Sequence, residues 1–312
     1  MGRLSKLRVV DPVLSALAIG YSNAEFIGHH LLPFVEVEKE GGKIPKFGKD
    51  AFKIYKTERA LRAASNQIVP DEPDDVTVVL DEHDLEFPID YREDAEAAFP
   101  LQSYATYRVT EGIRIRHEKM VADLVQNPAN YPVGHKIALS GSDVFTDPAS
   151  DPEGVIDDGR AAIRAKIAKE PNTMAIGYRT WRTLKRHPKL RAILSDTRPR
   201  LVQLADLREI FEVDNIVVGK GVYASDAGAT SDLWGNTLVL AYVPPGAPAK
   251  AGDAPVRTAY DPSFGYTLRK KGNPVVDTRL DGGGKLEWVR NTDIHRPYLL
   301  GAEAGYLVTG AA

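Results

Sequence analysis

The sign of the charge along this chain reverses once, ahead of its first long helical pattern. From Lys43 to Arg62 there are seven basic side chains (Lys43, Lys46, Lys49, Lys53, Lys56, Arg59 and Arg62) against two acids, Asp50 and Glu58. From Asp71 to Glu96 there are twelve acids against one arginine, Arg92. Neither stretch can be core, because charged groups are not buried without partners. They are joined by Ala63–Pro70, which has no helical periodicity. Two oppositely charged ribbons meeting at a tip predict a long hairpin arm. A strand of about 15 residues spans ~50 Å, whereas a compact domain of this length has a radius of gyration of only about 20 Å. Such an arm projects beyond its own body. A free two-stranded ribbon is marginal in water, so this one must take its order from another surface.

The chain has 312 residues, 43% hydrophobic and 27% charged, which places it among globular proteins. The residues from Met1 to Val10 lack the apolar run of a secretory signal. No window reaches the apolar length of a membrane span. Without cysteine, disulfides, thiolate nucleophiles and zinc ribbons are excluded. A net charge of −3 argues against a mainly electrostatic nucleic-acid binder, though not against a protein that encloses nucleic acid.

Downstream, Glu25–Leu32 reads as a short helix stopped by Pro33, and Phe34–Glu38 as a strand. Leu101–Gln126 is the longest helix pattern, with Leu101, Ala105, Val109, Ile113, Met120 and Leu124 as its apolar stripe. His117 falls on that stripe and reads as a core or interface histidine. Residues 127–150 read as loop. Asp151-Pro152-Glu153 opens a second helix, expected to run to Pro171. Met174–Gly177, Val213–Val218 and Leu238–Val243 read as buried strands, and Tyr178–Arg186 and Leu201–Phe211 as helices. Pro244–Pro255 reads as an exposed loop. Thr267–Lys270 and Leu286–Arg290 are expected to pair across Gly282-Gly283-Gly284. This interleaving predicts an α+β fold.

Catalytic motifs are weak or missing. Gly219-Lys220-Gly221-Val222-Tyr223-Ala224 fits the dinucleotide pattern, but the loop-like Ser225–Thr230 follows where a helix is required. In Gly282-Gly283-Gly284-Lys285, Leu286 replaces the Ser or Thr of a phosphate loop and Arg279 its first glycine. His29-His30 and Asp81-Glu82-His83-Asp84 contain ligand types, but adjacent residues point in different directions. No Gly-x-Ser-x-Gly elbow occurs. The expectation is a protein that is not an enzyme, with no catalytic, cofactor or metal site.

The phrases Leu31-Leu32-Pro33-Phe34-Val35-Glu36-Val37 and Gly42-Lys43-Ile44-Pro45-Lys46-Phe47-Gly48-Lys49-Asp50 lead into the charged arm. Glu170–Trp181 with Leu184 and His187-Pro188, then Leu233–Leu240 and Ser263-Phe264-Gly265, follow in order. This ordered set resembles the major capsid proteins of tailed bacteriophages, the Hong Kong 97 fold, over nearly the whole chain. The resemblance implies an N-terminal arm (1–42), an extended loop (43–97), a spine helix with a peripheral domain (98–195), an axial domain (196–270) and a C-terminal return to the peripheral domain (271–312). It implies pentamers and hexamers in an icosahedral shell around double-stranded DNA, held without sequence-specific binding, each loop lying over the next subunit. The expected partners are further copies, a separate scaffolding protein, a portal and, in some members, a decoration protein, with no membrane. A scaffolding protein is expected to be separate because only about 40 residues precede the loop. The expected location is the virion, after assembly in the host bacterial cytoplasm. Subunit-interface residues follow from the loop's charge: Lys46, Lys49, Lys53, Lys56, Arg59, Arg62, Asp71, Glu72, Asp74, Asp75, Asp81, Glu82 and Asp84. Some members crosslink a loop lysine to a neighbour's asparagine; Lys53, Lys56 and Asn291 are the residue types at hand, and nothing in their spacing identifies such a pair. The competing readings are an encapsulin-like compartment shell and, in another class, a nucleotide-binding oxidoreductase using Gly219–Ala224.

Overall fold

A computed structural model describes residues 26–46, 57–59, 61, 65–67, 74–194, 201–224, 228–248, 255–256 and 263–312. In chain order, a short helix α1 (Gly28–Leu31) leads to β1 (Phe34–Val37), and β2 (Gly41–Lys46) and β3 (Asp74–Val79) form a two-stranded ribbon. β4 (Asp81–Asp90) and α2 (Tyr91–Glu96) precede the spine helix α3 (Leu101–Val125) and the short β5 (Lys136–Ala138). Then come α4 (Pro152–Ile167), β6 (Thr173–Gly177), α5 (Tyr178–Leu184), α6 (Pro188–Leu194), α7 (Leu204–Phe211) and β7 (Asn215–Gly219). Two small hairpins, β8 (Val222–Ala224) with β9 (Thr230–Asp232) and β11 (Ala247–Pro248) with β12 (Pro255–Val256), flank β10 (Thr237–Ala241). The chain closes with β13 (Gly265–Lys270), β14 (Val275–Asp281), β15 (Leu286–Leu299) and β16 (Gly305–Thr309).

Two five-stranded sheets organise the molecule. In the first, β15 is the long central strand. β4 pairs with it on one side, and β13 and β14 share its other side, with β1 parallel to β13. Along β15, Val289, Asn291, Asp293 and His295 are buried and alternate with half-exposed residues, as a sheet covered on one face requires. The second sheet runs β5-β16-β10-β6-β7. Its central strands are buried on both faces, so β6 and β10 read as continuous apolar runs. Met174, Ile176, Leu238 and Leu240 meet Ile156, Ile163, Leu207 and Phe211 of the helices on one face. Ala175, Val239 and Leu307 meet the C-terminal end of α3 on the other. Each such aliphatic side chain contributes about 1.5–3 kcal/mol by leaving water.

The spine helix serves both sheets. Its buried residues step Leu101, Ala105, Val109, Ile113, His117, Val121 and Val125, and Met120 and Leu124 of the expected stripe lie only half-buried. At 3.6 residues per turn, each four-residue step advances the stripe by roughly 40°. The buried line therefore winds around the helix. Leu101 and Ala105 pack with Ile89 and Val289 of the first sheet, and Val121, Ala122 and Val125 reach Trp234 and Val239 of the second core.

Several expectations are corrected. α4 ends at Ala168, in left-handed backbone (φ 54°), three residues before Pro171. The strand joined to Leu286–Arg290 across the glycines is β14, whereas β13 pairs with residues 295–299. Residues 127–150 contain β5 as well as loop. An axial boundary at residue 196 would cut the second sheet, because β6 pairs with β7 and β10 from beyond it. An extended loop ending at residue 97 would take in β4, which is paired to β15 over its whole length. The two-stranded ribbon is therefore β2 with β3.

Candidate subunit interface

The ribbon is rooted in the body and charged above its root. Ile44, Val78 and Leu80 are buried against Val35, Tyr266 and Leu268. The Tyr298 hydroxyl accepts from the Val79 backbone N–H (2.8 Å) and donates to its carbonyl (2.6 Å). Lys270 and Glu40 are paired beside this root. Outward, the rungs run from Gly41–Val79 to Lys46–Asp74. Lys43 Nζ lies 3.2 Å from Asp75 Oδ2, with both side chains exposed. Cross-strand pairing of opposite charges is worth about 0.2–1 kcal/mol and holds register.

The thirteen expected interface residues divide three ways. Asp74, Asp75 and Lys46 lie on the ribbon, and Lys46 stands opposite Asp74. Asp81, Glu82 and Asp84 lie in β4 and belong to the first sheet: Asp81 is 3.4 Å from Arg296, Thr292 donates to Asp84 (3.0 Å), and Glu82 stands opposite Ile294. Arg59 is exposed, and Lys49, Lys53, Lys56, Arg62, Asp71 and Glu72 lie outside the described residues. The acidic half is thus divided at Leu80, with β3 facing β2 and β4 facing β15.

Other surface features were hidden from sequence reading. Leu61, between the two strands of the ribbon, is 89% exposed. On the open face of the first sheet, Arg279 grips Glu86 through Nε and Nη2 (3.1 and 3.0 Å) and lies over Trp288. Arg290 grips Asp277 in the same forked way (2.9 and 2.6 Å). These guanidinium groups hold the carboxyls of Glu86 and Asp277 below the usual range. β14 supplies half of this network.

The interior between spine and sheets is polar at two adjacent helix residues. Glu118 is buried and accepts from the Ile27 N–H (2.9 Å), the Gly28 N–H (2.9 Å) and the Trp234 indole (2.7 Å). Burial pushes its pKa up, against the opposing pull of those three donors. His117 stacks on Phe34, and its Nε2 is 3.0 Å from Thr267 Oγ1. That hydroxyl donates to the Leu32 carbonyl (3.0 Å), so it accepts from His117, which carries its proton on Nε2. Burial, followed by the neighbouring His295 and Arg269, pushes His117 down to about 3.

The chemical decoys resolve into structure. Gly219 ends β7, and β8 follows in place of a helix. A Cβ at Gly219 would lie 2.3 Å from the Trp234 ring, so this glycine makes room for tryptophan, not pyrophosphate. Gly282, Gly283 and Gly284 all have positive φ (60°, 71° and 84°), as the tight β14–β15 turn demands. Among the described residues no three ligand-type side chains converge to hold a metal, and no helix is long and apolar enough to cross a membrane. Asn291 is buried and donates to Thr110.

Comparison with known proteins gives concordant relationships. The sequence profile of the family described as phage major capsid protein E matches residues 25–275. The major capsid protein of Burkholderia phage BcepMu is 60% identical over 310 residues, 99% of each chain. The crystal structure of a phage-related protein from Bordetella bronchiseptica superposes with a TM-score of 0.75 at 33% identity, covering 97% of this chain and 98% of that one. An encapsulin complex from Synechococcus elongatus shares the fold at a TM-score of 0.55 and 13% identity, covering 97% and 96%.

Proposed function

The chain belongs to the phage major capsid protein E family, and from that premise we propose how its copies build a shell. It is a phage major capsid protein of the Hong Kong 97 type, a structural component of the virion and not an enzyme. Its copies associate as pentamers and hexamers into an icosahedral head around double-stranded DNA. Assembly takes place in the host cytoplasm on a separate scaffolding protein and around a portal, and leaves room for a decoration protein. The ribbon of β2 and β3 is the extended loop and lies over the next copy. The first sheet with the spine helix serves as the peripheral lobe, and the second sheet with α4–α7 as the axial lobe.

The observation that carries this reading is the ribbon itself. Its root is buried in its own chain, while beyond the root it presents Leu61 and opposed charges to solvent. Exposing a leucine this fully forgoes roughly 1.5–3 kcal/mol, which a neighbouring copy recovers. Negative-stain imaging of the purified, assembled protein tests the reading: hollow spheres are expected, and nothing larger than small oligomers would sink it. Nucleic acid inside native particles separates a phage head from an encapsulin-like compartment.

A further inference from the structure

Between Glu170 and Asp196 the sequence has no acid, yet it has six cations: Arg179, Arg182, Lys185, Arg186, Lys189 and Arg191. The chain as a whole is acidic, so this is a local reversal. Helices α5 and α6, with the turn between them, bury Thr180, Leu184 and Leu190 and leave Arg182, Arg186 and Lys189 exposed to solvent. Two aromatic rings support the cations from below. Arg182 lies over Tyr178 (5.9 Å) and Lys185 over Trp181 (6.0 Å). Arg179 meets Asp232 at 3.2 Å. Arg182, Lys185, Arg186 and Lys189 form no ion pair among the described residues; Lys189 Nζ donates only to the Ala149 carbonyl.

Several arginines elsewhere are matched within the chain. Arg160 sits among Asp157, Glu170 and Glu212, and Arg279 and Arg290 grip Glu86 and Asp277. Like charges held together without counter-charges repel, so the strip is completed by an anion from outside. Guanidinium forks fit phosphate oxygens in pairs, and lysine adds point charge. An acidic surface of a second copy is the competing occupant, and the assembly readout below separates it from nucleic acid.

The geometry points to a strip on α5 and α6 that binds the sugar-phosphate backbone of nucleic acid without reading its sequence. The inference rests on the shell reading only in naming the enclosed genome as the nucleic acid met. Contacts of this kind are weak singly and weaken with salt through counterion release.

The test uses the full-length protein in dispersed form, a short mixed-sequence DNA duplex and fluorescence anisotropy over a salt series. Arg182→Ala/Arg186→Ala/Lys189→Ala is expected to flatten the slope of log K against log salt by about 2.7, roughly 0.9 for each phosphate contact removed. Its melting curve should match the parent's, and Arg182→Lys/Arg186→Lys should keep most of the slope. No duplex binding by the parent protein, or an unchanged slope in the triple variant, overturns the inference. Unchanged DNA binding with lost assembly overturns it too, and assigns the strip to a second copy. Failure of every protein to form particles, with the slope change intact, counts against the shell reading alone.

Discussion

Glu118 and His117 are neighbours in sequence that face different sheets. Glu118 ties the spine helix to the start of α1 and to Trp234, and His117 ties it to β1 and β13. Glu118→Ala would leave three buried donors without an acceptor, at about 1–3 kcal/mol each before relaxation. An unfolding free energy from urea titration lowered by at least ~2 kcal/mol is expected in the dispersed protein, with Trp234→Phe losing less. Their pH dependences have opposite signs. The folded pKa of Glu118 is raised, so its contribution is greatest below the ordinary carboxylate value and is lost as pH rises through the raised one. The folded pKa of His117 is depressed from 6.5 to about 3, so its contribution is complete above 6.5 and is lost as pH falls through that window. Denaturation measured across this range should show stability falling toward acid, with a smaller fall in His117→Gln. An equal fall in that variant would remove His117 as a source.

The ribbon and the strands around it show how far an element can be read from its own residues. The opposed charges of Lys43–Arg62 and Asp71–Glu96 pointed to a hairpin, and β2 and β3 do pair. That β4 leaves the ribbon at Leu80 was not legible, because its partner β15 lies about two hundred residues further on and alternation alone does not choose between partners. β14 was missed for a related reason. Val275–Asp281 mixes apolar and charged residues, is exposed and unremarkable by pattern, and is ordered by its ladder with β15. The interface residues were legible as charge, but not as geometry. If the ribbon docks on a neighbour through charge, Arg59→Glu/Arg62→Glu should impair particle formation while leaving the melting curve of the dispersed protein unchanged. Normal particles from that variant, counted by sedimentation, would show that these charges are not used in docking.

At the scale of the whole molecule, two sheets share one spine helix and the ribbon extends from a corner of the first. Contacts through such exposed charged ribbons are each worth about 0–1 kcal/mol, but a shell repeats them at every subunit boundary. Screening shortens their reach to about 3 Å at 1 M salt. Sedimentation should therefore show assembly slowing with rising salt, whereas the stability of the dispersed protein should change little. Assembly indifferent to salt would move the weight to apolar contacts such as Leu61.

Information held in contiguous residues was settled by the sequence itself. The repeating apolar positions of α3, the Asp151-Pro152 start of α4, the unbroken apolar runs of β6 and β10, the triple-glycine turn and the reversal of charge all depend on local sterics and spacing. What required the tertiary structure was everything decided by a partner far along the chain: the winding of α3 from one sheet to the other, the capture of β4 by β15, and the ring of Trp234 filling the space beside Gly219. Burial and strand pairing are properties of two surfaces meeting, and one stretch of sequence carries only one of them.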